Sequence, residues 1–195
     1  MQLYEAVDKG SIHLDYNFFP DNIWKDIFYD LKQVSFNQTY QPAGFTYYNR
    51  LEGYPTNEYW YNKYNHFIIN KIQNSLGCKI KNFDCFARKL IKSEIQKSPQ
   101  GQCKYGMVHE DDSEYSAVIS LDESTNGGTA FYEHRHHRYP NSEIGAYPNK
   151  LVLYSGSKFH STCYDFNLDD YLYLVNFPNN GEPISGVNFT IDGCD

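Results

Sequence analysis

The amino-acid sequence predicts a mainly β fold with flanking helices. Aromatic residues make up 17% of the chain, and aromatic side chains fit the pleated, half-buried surface of a sheet. Short apolar runs that alternate with polar residues dominate the second half, whereas the first half carries two longer stretches with apolar residues at helical spacing. The chain has 195 residues, a length typical of one domain, and we expect residues 1–195 to form a single domain.

Two helices are predicted in the first half of the chain. The first begins at Pro20 and runs to about Val34, and the second runs from about Thr56 to Leu76, where Gly77 ends it. In both, apolar residues return to one helical face, as expected for a helix that packs on a sheet. These faces comprise Ile23, Ile27 and Leu31 in the first helix, and Trp60, Tyr64, Phe67, Ile68 and Ile72 in the second.

Strand-like segments follow one another through the rest of the chain. They lie at 83–93, 115–121, 129–132, 150–154 and 169–177. Turn residues at Gly127 and Gly128 separate the second segment from the third, and a loop is expected at 97–102. This succession of short strands and turns indicates a β-rich second half.

The segment before the second of these strands carries two potential metal ligands, His109 and Asp111. Residues two apart in a strand point to the same face, so these two side chains can ligate one ion together. His160 follows the 150–154 strand after a glycine turn, and it can complete the set from a separate strand. Two imidazoles and one carboxylate form the set that holds non-haem Fe(II) with open positions for oxygen and substrate.

The order of these motifs resembles that of the 2-oxoglutarate/Fe(II)-dependent dioxygenase superfamily, and within it the prolyl-hydroxylase-like branch. The resemblance rests on the H-x-D pair that begins at His109, the Gly-Gly-Thr-x-Phe segment that begins at Gly127, and the late His160. It covers roughly residues 105–177. A weaker similarity, at residues 14–20, is to the entry strand of that branch.

This resemblance implies a double-stranded β-helix core, which is a jelly-roll or cupin-like arrangement, in residues 105–177. Residues 1–104 would supply the helical support and the entry strands. The resemblance also implies an enzyme that uses Fe(II), O2 and 2-oxoglutarate to hydroxylate an unactivated C–H bond of an amino-acid, peptidyl or small-molecule substrate. His109, Asp111 and His160 would hold the metal at its catalytic centre. The sequence does not identify the substrate or the oligomeric state.

The sequence departs from the family where the distal carboxylate of 2-oxoglutarate is usually bound. Family members place an Arg or Lys on the strand after the last histidine, because a guanidinium group matches a carboxylate. This chain has no Lys or Arg after Lys158, and Asp170 or Tyr171 occupies the expected position. An acid at that position would repel the co-substrate.

Three explanations of this departure stay open. A cation from another strand can bind the co-substrate, or neutral hydroxyl groups can do so with lower affinity. Alternatively, the protein binds a metal without 2-oxoglutarate, as a cupin-type oxygenase or as a non-catalytic binding module. The candidate cations are Arg88 and Lys150, followed by Lys89 and Lys158, and the candidate neutral groups are Ser120, Tyr171, Tyr173 and Tyr105, which parity places on the ligand face of the metal strand.

Histidine and arginine are concentrated in the segment 133–139, whose sequence is Glu-His-Arg-His-His-Arg-Tyr. It follows a predicted strand and precedes turn residues at 140–142, which favours a solvated loop. A second metal site and an anion-binding rim are the alternatives. If the loop has a role, recognition of an acidic substrate at the mouth of the barrel fits its charge better than catalysis.

Charge and targeting signals limit the possible partners. The formal net charge is -7, whereas nucleic-acid-binding surfaces depend on clustered Lys and Arg. No apolar run reaches the roughly 18 residues of a membrane span, and the N-terminus lacks a signal-peptide pattern. Five cysteines without C-x-x-C spacing then predict five reduced thiols in a soluble intracellular protein, most simply a cytoplasmic one.

Overall fold

The computed structural model describes residues 3–33, 37–38, 50–53, 58–80, 83–90, 105, 108–121, 127–163 and 171–178. The helices in these ranges are α1 (Leu3–Asp8), α2 (Asp21–Lys32) and α3 (Glu58–Leu76). The strands are β1 (His13–Asp15), β2 (Asn37–Gln38), β3 (Arg50–Gly53), β4 (Phe83–Leu90), β5 (Tyr115–Ser120), β6 (Gly128–Phe131), β7 (Ser142–Gly145), β8 (Leu151–Ser155), β9 (His160–Cys163) and β10 (Tyr171–Pro178). The loop predicted at 97–102 lies outside the described residues.

Helix α2 confirms the first predicted helix. It begins directly after Pro20, where a fixed φ and a missing N–H group cost little because the first turn of a helix has unpaired N–H groups in any case. Ile27, Phe28 and Leu31 are its buried residues, and Ile23 packs against them while partly exposed. The apolar face of this helix is therefore the one that the four-residue spacing predicts.

Helix α3 confirms the second predicted helix. It ends at Leu76, and the next residue, Gly77, has a φ of 78°. That left-handed conformation favours glycine, because a Cβ atom would be strained there. Tyr64, Ile68 and Ile72 of the predicted stripe are buried, whereas the side chain of Trp60 lies outside the described part of the chain.

The strands form two antiparallel sheets. The larger sheet has seven strands in the order β1-β8-β5-β10-β4-β3-β2, and the smaller has three in the order β7-β6-β9. From β5 onward the chain crosses repeatedly between the sheets, with β5, β8 and β10 in the larger one and β6, β7 and β9 in the smaller one. The five predicted strand segments correspond to β4, β5, β6, β8 and β10, whereas β7 has no counterpart among them because its residues are mostly exposed.

Successive residues of the larger sheet face two different environments. Ala117 and Ile119 of β5 belong to the main hydrophobic core, together with buried residues of the three helices. Val118, which lies between them, packs with Phe131 of β6 and Tyr154 of β8. The face opposite the helices therefore looks toward the smaller sheet, and the candidate site lies in the space between the two sheets.

The cysteines correct one expectation. Cys85 and Cys163 are buried and form no disulfide, but Cys78 is disulfide-bonded to a partner outside the described residues. The prediction of five reduced thiols is therefore wrong for Cys78. Disulfides are typical of oxidising compartments, so the cysteine count no longer supports a cytoplasmic location. Among the described helices, none is long and apolar enough to cross a membrane.

Candidate metal centre

The side chains of His109, Asp111 and His160 meet between the two sheets. One potential ligand atom from each lies within 4.8 Å of the other two. The Nε2 atom of His109 lies 3.5 Å from Oδ1 of Asp111, and the Nε2 atom of His160 lies 3.2 Å from Oδ2 of the same carboxylate. The structure thus brings together the three residues that the sequence motif predicts.

Backbone pairing positions all three residues. The amides and carbonyls of His109 and His160 form two reciprocal hydrogen bonds of 2.9 Å, and the amide of Asp111 donates to the carbonyl of Gly156 at 2.9 Å. The expected strand through both early ligands is reduced, in the described residues, to isolated bridges at Tyr105 and His109. Pairing with β9 and with the turn before it still directs both early ligands into one site.

Gly156 is required in that turn. A Cβ atom at this position would lie 1.9 Å from the carbonyl oxygen of Ser113, far closer than two such atoms can approach. The amide of Gly156 donates to the carbonyl of Glu114 at 3.0 Å, so the turn packs directly on the segment that follows Asp111. The close contact with the neighbouring backbone, rather than an unusual φ, explains why glycine occupies this position.

His160 is held in one orientation. Its Nδ1 atom lies 2.8 Å from the carbonyl oxygen of Lys158, and a carbonyl only accepts, so Nδ1 carries the proton. The Nε2 atom, on the other side of the ring, faces Oδ2 of Asp111 and is the atom that would ligate a metal ion. The ring centroid lies 4.9 Å from that of Tyr154 and 4.3 Å from that of His109.

Asp111 is stabilised as a carboxylate. Burial alone would raise its pKa, but the hydrogen bond and charge of His160, the hydrogen bond of Ser116 and the charge of His109 together hold that pKa below its ordinary value. The Oγ atom of Ser116 donates to Oδ2 of Asp111 at 2.5 Å, and Ser116 is fully buried. An ionised carboxylate beside two imidazoles fits a divalent transition-metal ion.

Sequence reasoning missed two groups that orient the ligands, the Ser116 hydroxyl and the Lys158 carbonyl. Ser116 lies four residues before Ser120 and therefore on the same face of β5, a signal that was available in the sequence. Lys158 was a candidate cation for the co-substrate. The structure instead places its ammonium group 3.0 Å from the carbonyl oxygen of Gly10, after α1.

Ser120, Tyr173 and Arg88 lie in one row across three strands. Tyr173 of β10 pairs with Ser120 of β5 on one side and with Arg88 of β4 on the other, and paired residues of an antiparallel sheet share a face. Ser120 is buried, and it lies on the face that looks toward the smaller sheet because Val118 does. The register therefore assigns the positions of Arg88 and Tyr173 to the interior face.

The neighbours of Arg88 on β4 agree with this assignment. Cys85 and Ala87 are buried in the core with the helices, so parity assigns position 88 to the alternate face of the strand and position 89 to the face that carries Cys85 and Ala87. Tyr171 lies two residues before Tyr173 and shares its face.

Lys150 is buried at the other end of the smaller sheet. Its ammonium group donates to the carbonyl of Gly145, and it lies 4.9 Å and 5.4 Å from the ring centroids of Tyr147 and Tyr16. Gly145 pairs with Gly128 at the start of β6, whereas His160 pairs at the end of β6. Burial lowers the pKa of Lys150.

Tyr105 corrects another expectation. It pairs with Cys163, while His109 pairs with His160, so the two bridges are four positions apart in this segment and three positions apart in β9. This offset of one residue reverses the side-chain parity. The hydroxyl of Tyr105 donates to Glu143, and its ring packs beside Tyr132 and Cys163, on the face of the smaller sheet that points away from the candidate metal centre.

Solved structures of known proteins share this fold. No protein-family model matches the sequence, and no curated protein matches it. A prolyl-4-hydroxylase from Pseudomonas putida matches with a TM-score of 0.56 and 13% identity, covering 92% of this chain and 98% of its own. HygX from Streptomyces hygroscopicus, solved with nickel and 2-oxoglutarate bound, matches with a TM-score of 0.59 and 8% identity, covering 98% and 96%.

A prolyl hydroxylase from Trichoplax adhaerens is similar in the same way. It was solved in complex with a peptide fragment of the hypoxia inducible factor oxygen degradation domain, and it matches with a TM-score of 0.57 and 10% identity, covering 90% of this chain and 86% of its own. At such low sequence identities, structural similarity shows a shared fold and does not show a shared activity. The chain has the fold of 2-oxoglutarate/Fe(II) oxygenases.

Proposed function

We propose that the protein is a mononuclear non-haem Fe(II) oxygenase that uses 2-oxoglutarate and O2 to hydroxylate an unactivated C–H bond. His109, Asp111 and His160 would be the metal ligands and the catalytic centre. The observation that carries this proposal is the meeting of these three side chains, within 4.8 Å of one another, between the sheets of an oxygenase fold. Bound Fe(II) would supply the activation of O2.

In this proposal, the protein holds and orients the three metal-ligating side chains and excludes water from the site. The Lys158 carbonyl and the Ser116 hydroxyl fix the His160 ring and the Asp111 carboxylate. Phe131 and Tyr154, both buried between the sheets, close the interior side of the site to solvent. We further propose that the two sheets form a double-stranded β-helix, with its core in residues 105–177 of a single domain.

For the co-substrate we propose a subsite on the interior row of the larger sheet. Its members would be Arg88, Ser120 and Tyr171, with Arg88 binding the distal carboxylate. The register of β4, β10 and β5 supports this choice. Lys150 is less suitable, because its ammonium group is already bound to Gly145 at the sheet end remote from His160.

The substrate would be an amino acid, a peptide or another small molecule. A peptide substrate is supported by the Trichoplax prolyl hydroxylase, which has the same fold and was solved in complex with a peptide. The formal net charge of -7 makes nucleic acid an unsuitable partner, since binding it depends on clustered positive charge.

An anaerobic titration tests this function. Fe(II) is added first and 2-oxoglutarate second, and the weak visible charge-transfer band of the iron chelate is recorded. We expect the band to appear only after the second addition, and not in His160→Ala protein.

One alternative is favoured by the absence of Lys and Arg after Lys158. It is a metal-binding protein of the same fold that does not use 2-oxoglutarate, either a cupin-type oxygenase or a non-catalytic binding module. Stoichiometric iron binding without the band would select this alternative. Failure to bind iron at all would reject the metal centre itself.

A further inference from the structure

The segment 133–139, here called the basic loop, leaves the smaller sheet at its metal end. Phe131, the last residue of β6, pairs with His160, and the amide of Tyr132 donates to the carbonyl of Phe159 at 2.9 Å. The loop therefore begins two residues after Phe131, which lies directly opposite the proposed metal ligand His160. Paired residues of adjacent strands are about 5 Å apart, so the base of the loop is next to the site.

Hydrogen bonds close the base of the basic loop. The amide of Asn141 donates to the carbonyl of Phe131 at 2.8 Å, and the amide of Glu133 donates to the side-chain oxygen of Asn141 at 2.8 Å. Within the loop, the amide of His137 donates to the carbonyl of His134 at 3.1 Å. These bonds fix where the loop stands relative to the metal centre.

The basic loop differs in charge from the rest of the chain. Its residues are all exposed, and its two arginines and one glutamate give it a positive formal charge in a chain whose net charge is -7. No carboxylate in the described ranges forms an ion pair with Arg135 or Arg138. Two guanidinium groups are thus presented to solvent, and guanidinium groups suit carboxylates because their paired N–H donors match the two oxygens.

We propose that the basic loop binds an acidic segment of a peptide substrate, through Arg135 and Arg138, while another residue of the same peptide reaches the metal centre. This inference rests on the proposed function, because it treats that centre as the place of oxidation. The loop is an open surface rather than a closed pocket, so a ligand that contacts both the loop and the metal must be extended. An extended chain with carboxylates meets this requirement.

A binding experiment tests the proposal without any turnover. Protein loaded with one equivalent of Zn(II) is titrated into fluorescein-labelled octaglutamate and octaglutamine peptides, and fluorescence anisotropy is recorded. We expect octaglutamate to bind more tightly, with an affinity that falls as salt is added. The double variant Arg135→Gln/Arg138→Gln should weaken its binding by roughly tenfold, because two charge-assisted contacts are lost.

A matched double variant controls for net charge. Lys25→Gln/Lys32→Gln removes two positive charges from exposed positions of α2, on the opposite side of the larger sheet, and should leave octaglutamate binding unchanged. Equal affinity for the two peptides, or equal effects of the two double variants, would overturn the proposal. Tighter binding of single-stranded DNA through the same arginines would also overturn it, in favour of a phosphate ligand.

The test separates this inference from the proposed function. Loss of octaglutamate binding in the loop variant, with the 2-oxoglutarate band intact, supports the loop proposal. If octaglutamate binds through the loop but the band never forms, the loop binds acidic peptide and the oxygenase function fails. If the band forms and octaglutamate does not bind, the loop proposal alone is rejected.

Discussion

The carboxylate of Asp111 accepts a hydrogen bond from the buried hydroxyl group of Ser116. Ser116→Ala removes the 2.5 Å hydrogen bond to Oδ2, and loss of such an outer contact typically weakens metal binding by about tenfold or more. We expect that weakening in a calorimetric titration with Zn(II) or Co(II). Ser120→Ala, on the same face of the same strand, is the matched control and should leave metal affinity unchanged. Equal metal affinities in the two variants would show that Ser116 has no orienting role.

Acid should destabilise the metal-free protein partly through Asp111. Its pKa is lowered in the folded state from the ordinary value of 3.8, so its ionised form stabilises the fold above that value. This contribution is lost as the pH falls through the lower, folded-state pKa. We therefore expect the free energy of unfolding of the wild type to decline more steeply than that of Asp111→Asn between about pH 5 and pH 2. Parallel curves for the two proteins would contradict this account.

The ligand residues could be read from the sequence, whereas one of their neighbours could not. His109 and Asp111 are two apart, and His160 follows a recognisable turn, so local spacing is enough to select them. Strand parity predicts the wrong face for Tyr105, because parity holds only where strand pairing is continuous. An offset of one residue relative to β9 leaves no trace in the pattern of apolar residues.

At the scale of elements, the turn between β8 and β9 should be intolerant of any side chain at Gly156. Gly156→Ala places a Cβ atom against the Ser113 carbonyl, so the turn must shift and carry the Asp111 amide contact with it. We expect a lower Tm and weaker metal binding, measured by thermal unfolding with and without Zn(II). Gly145→Ala is the control, because a Cβ atom there meets nothing within 4 Å. Similar Tm values for both variants would contradict the close approach.

The row across β4, β10 and β5 leads to a comparison of two cations. Arg88→Met should weaken 2-oxoglutarate binding by about tenfold or more, which corresponds to about 1.4 kcal/mol, with metal affinity unchanged. Lys150→Met should weaken it much less, since the Lys150 ammonium already contacts Gly145 and two tyrosine rings. Both are measured by titrating 2-oxoglutarate into the Fe(II) protein without oxygen. If Lys150→Met weakened 2-oxoglutarate binding more than Arg88→Met did, Lys150 rather than Arg88 would be assigned to the subsite.

Sequence periodicity found the elements that carry several buried apolar residues and missed those that do not. α2 and α3 are long enough for apolar residues to return to one face several times, so their positions are readable. α1 has six residues with Val7 its buried one, and β7 is mostly exposed, so neither has a repeated pattern. The placement of Lys150 beside Tyr16 likewise depends on contacts between distant segments.

For the whole molecule, the cysteines give a chemical test. The chain has five cysteines, and Cys78 with its partner accounts for two of them, which leaves three thiols. Titration of the denatured, unreduced protein with a thiol reagent should therefore release three equivalents, and five after reduction. Five equivalents before reduction would mean that Cys78 is reduced. This pairing was not predictable, because disulfides join residues by position in space rather than by local spacing.

The reciprocal backbone bonds between His109 and His160 have a practical consequence for anyone who purifies the protein. Folding, rather than the ion, sets the spacing of the two imidazoles, so the pair is ready for any divalent ion of suitable size. Intrinsic affinities favour nickel, copper and zinc over ferrous iron. If these residues bind a metal as proposed, the ion found in a preparation will depend on the metals present in the host cell and on affinity resins. A sample without the proposed oxygenase activity is informative only after that ion has been removed and replaced by ferrous iron in the absence of air.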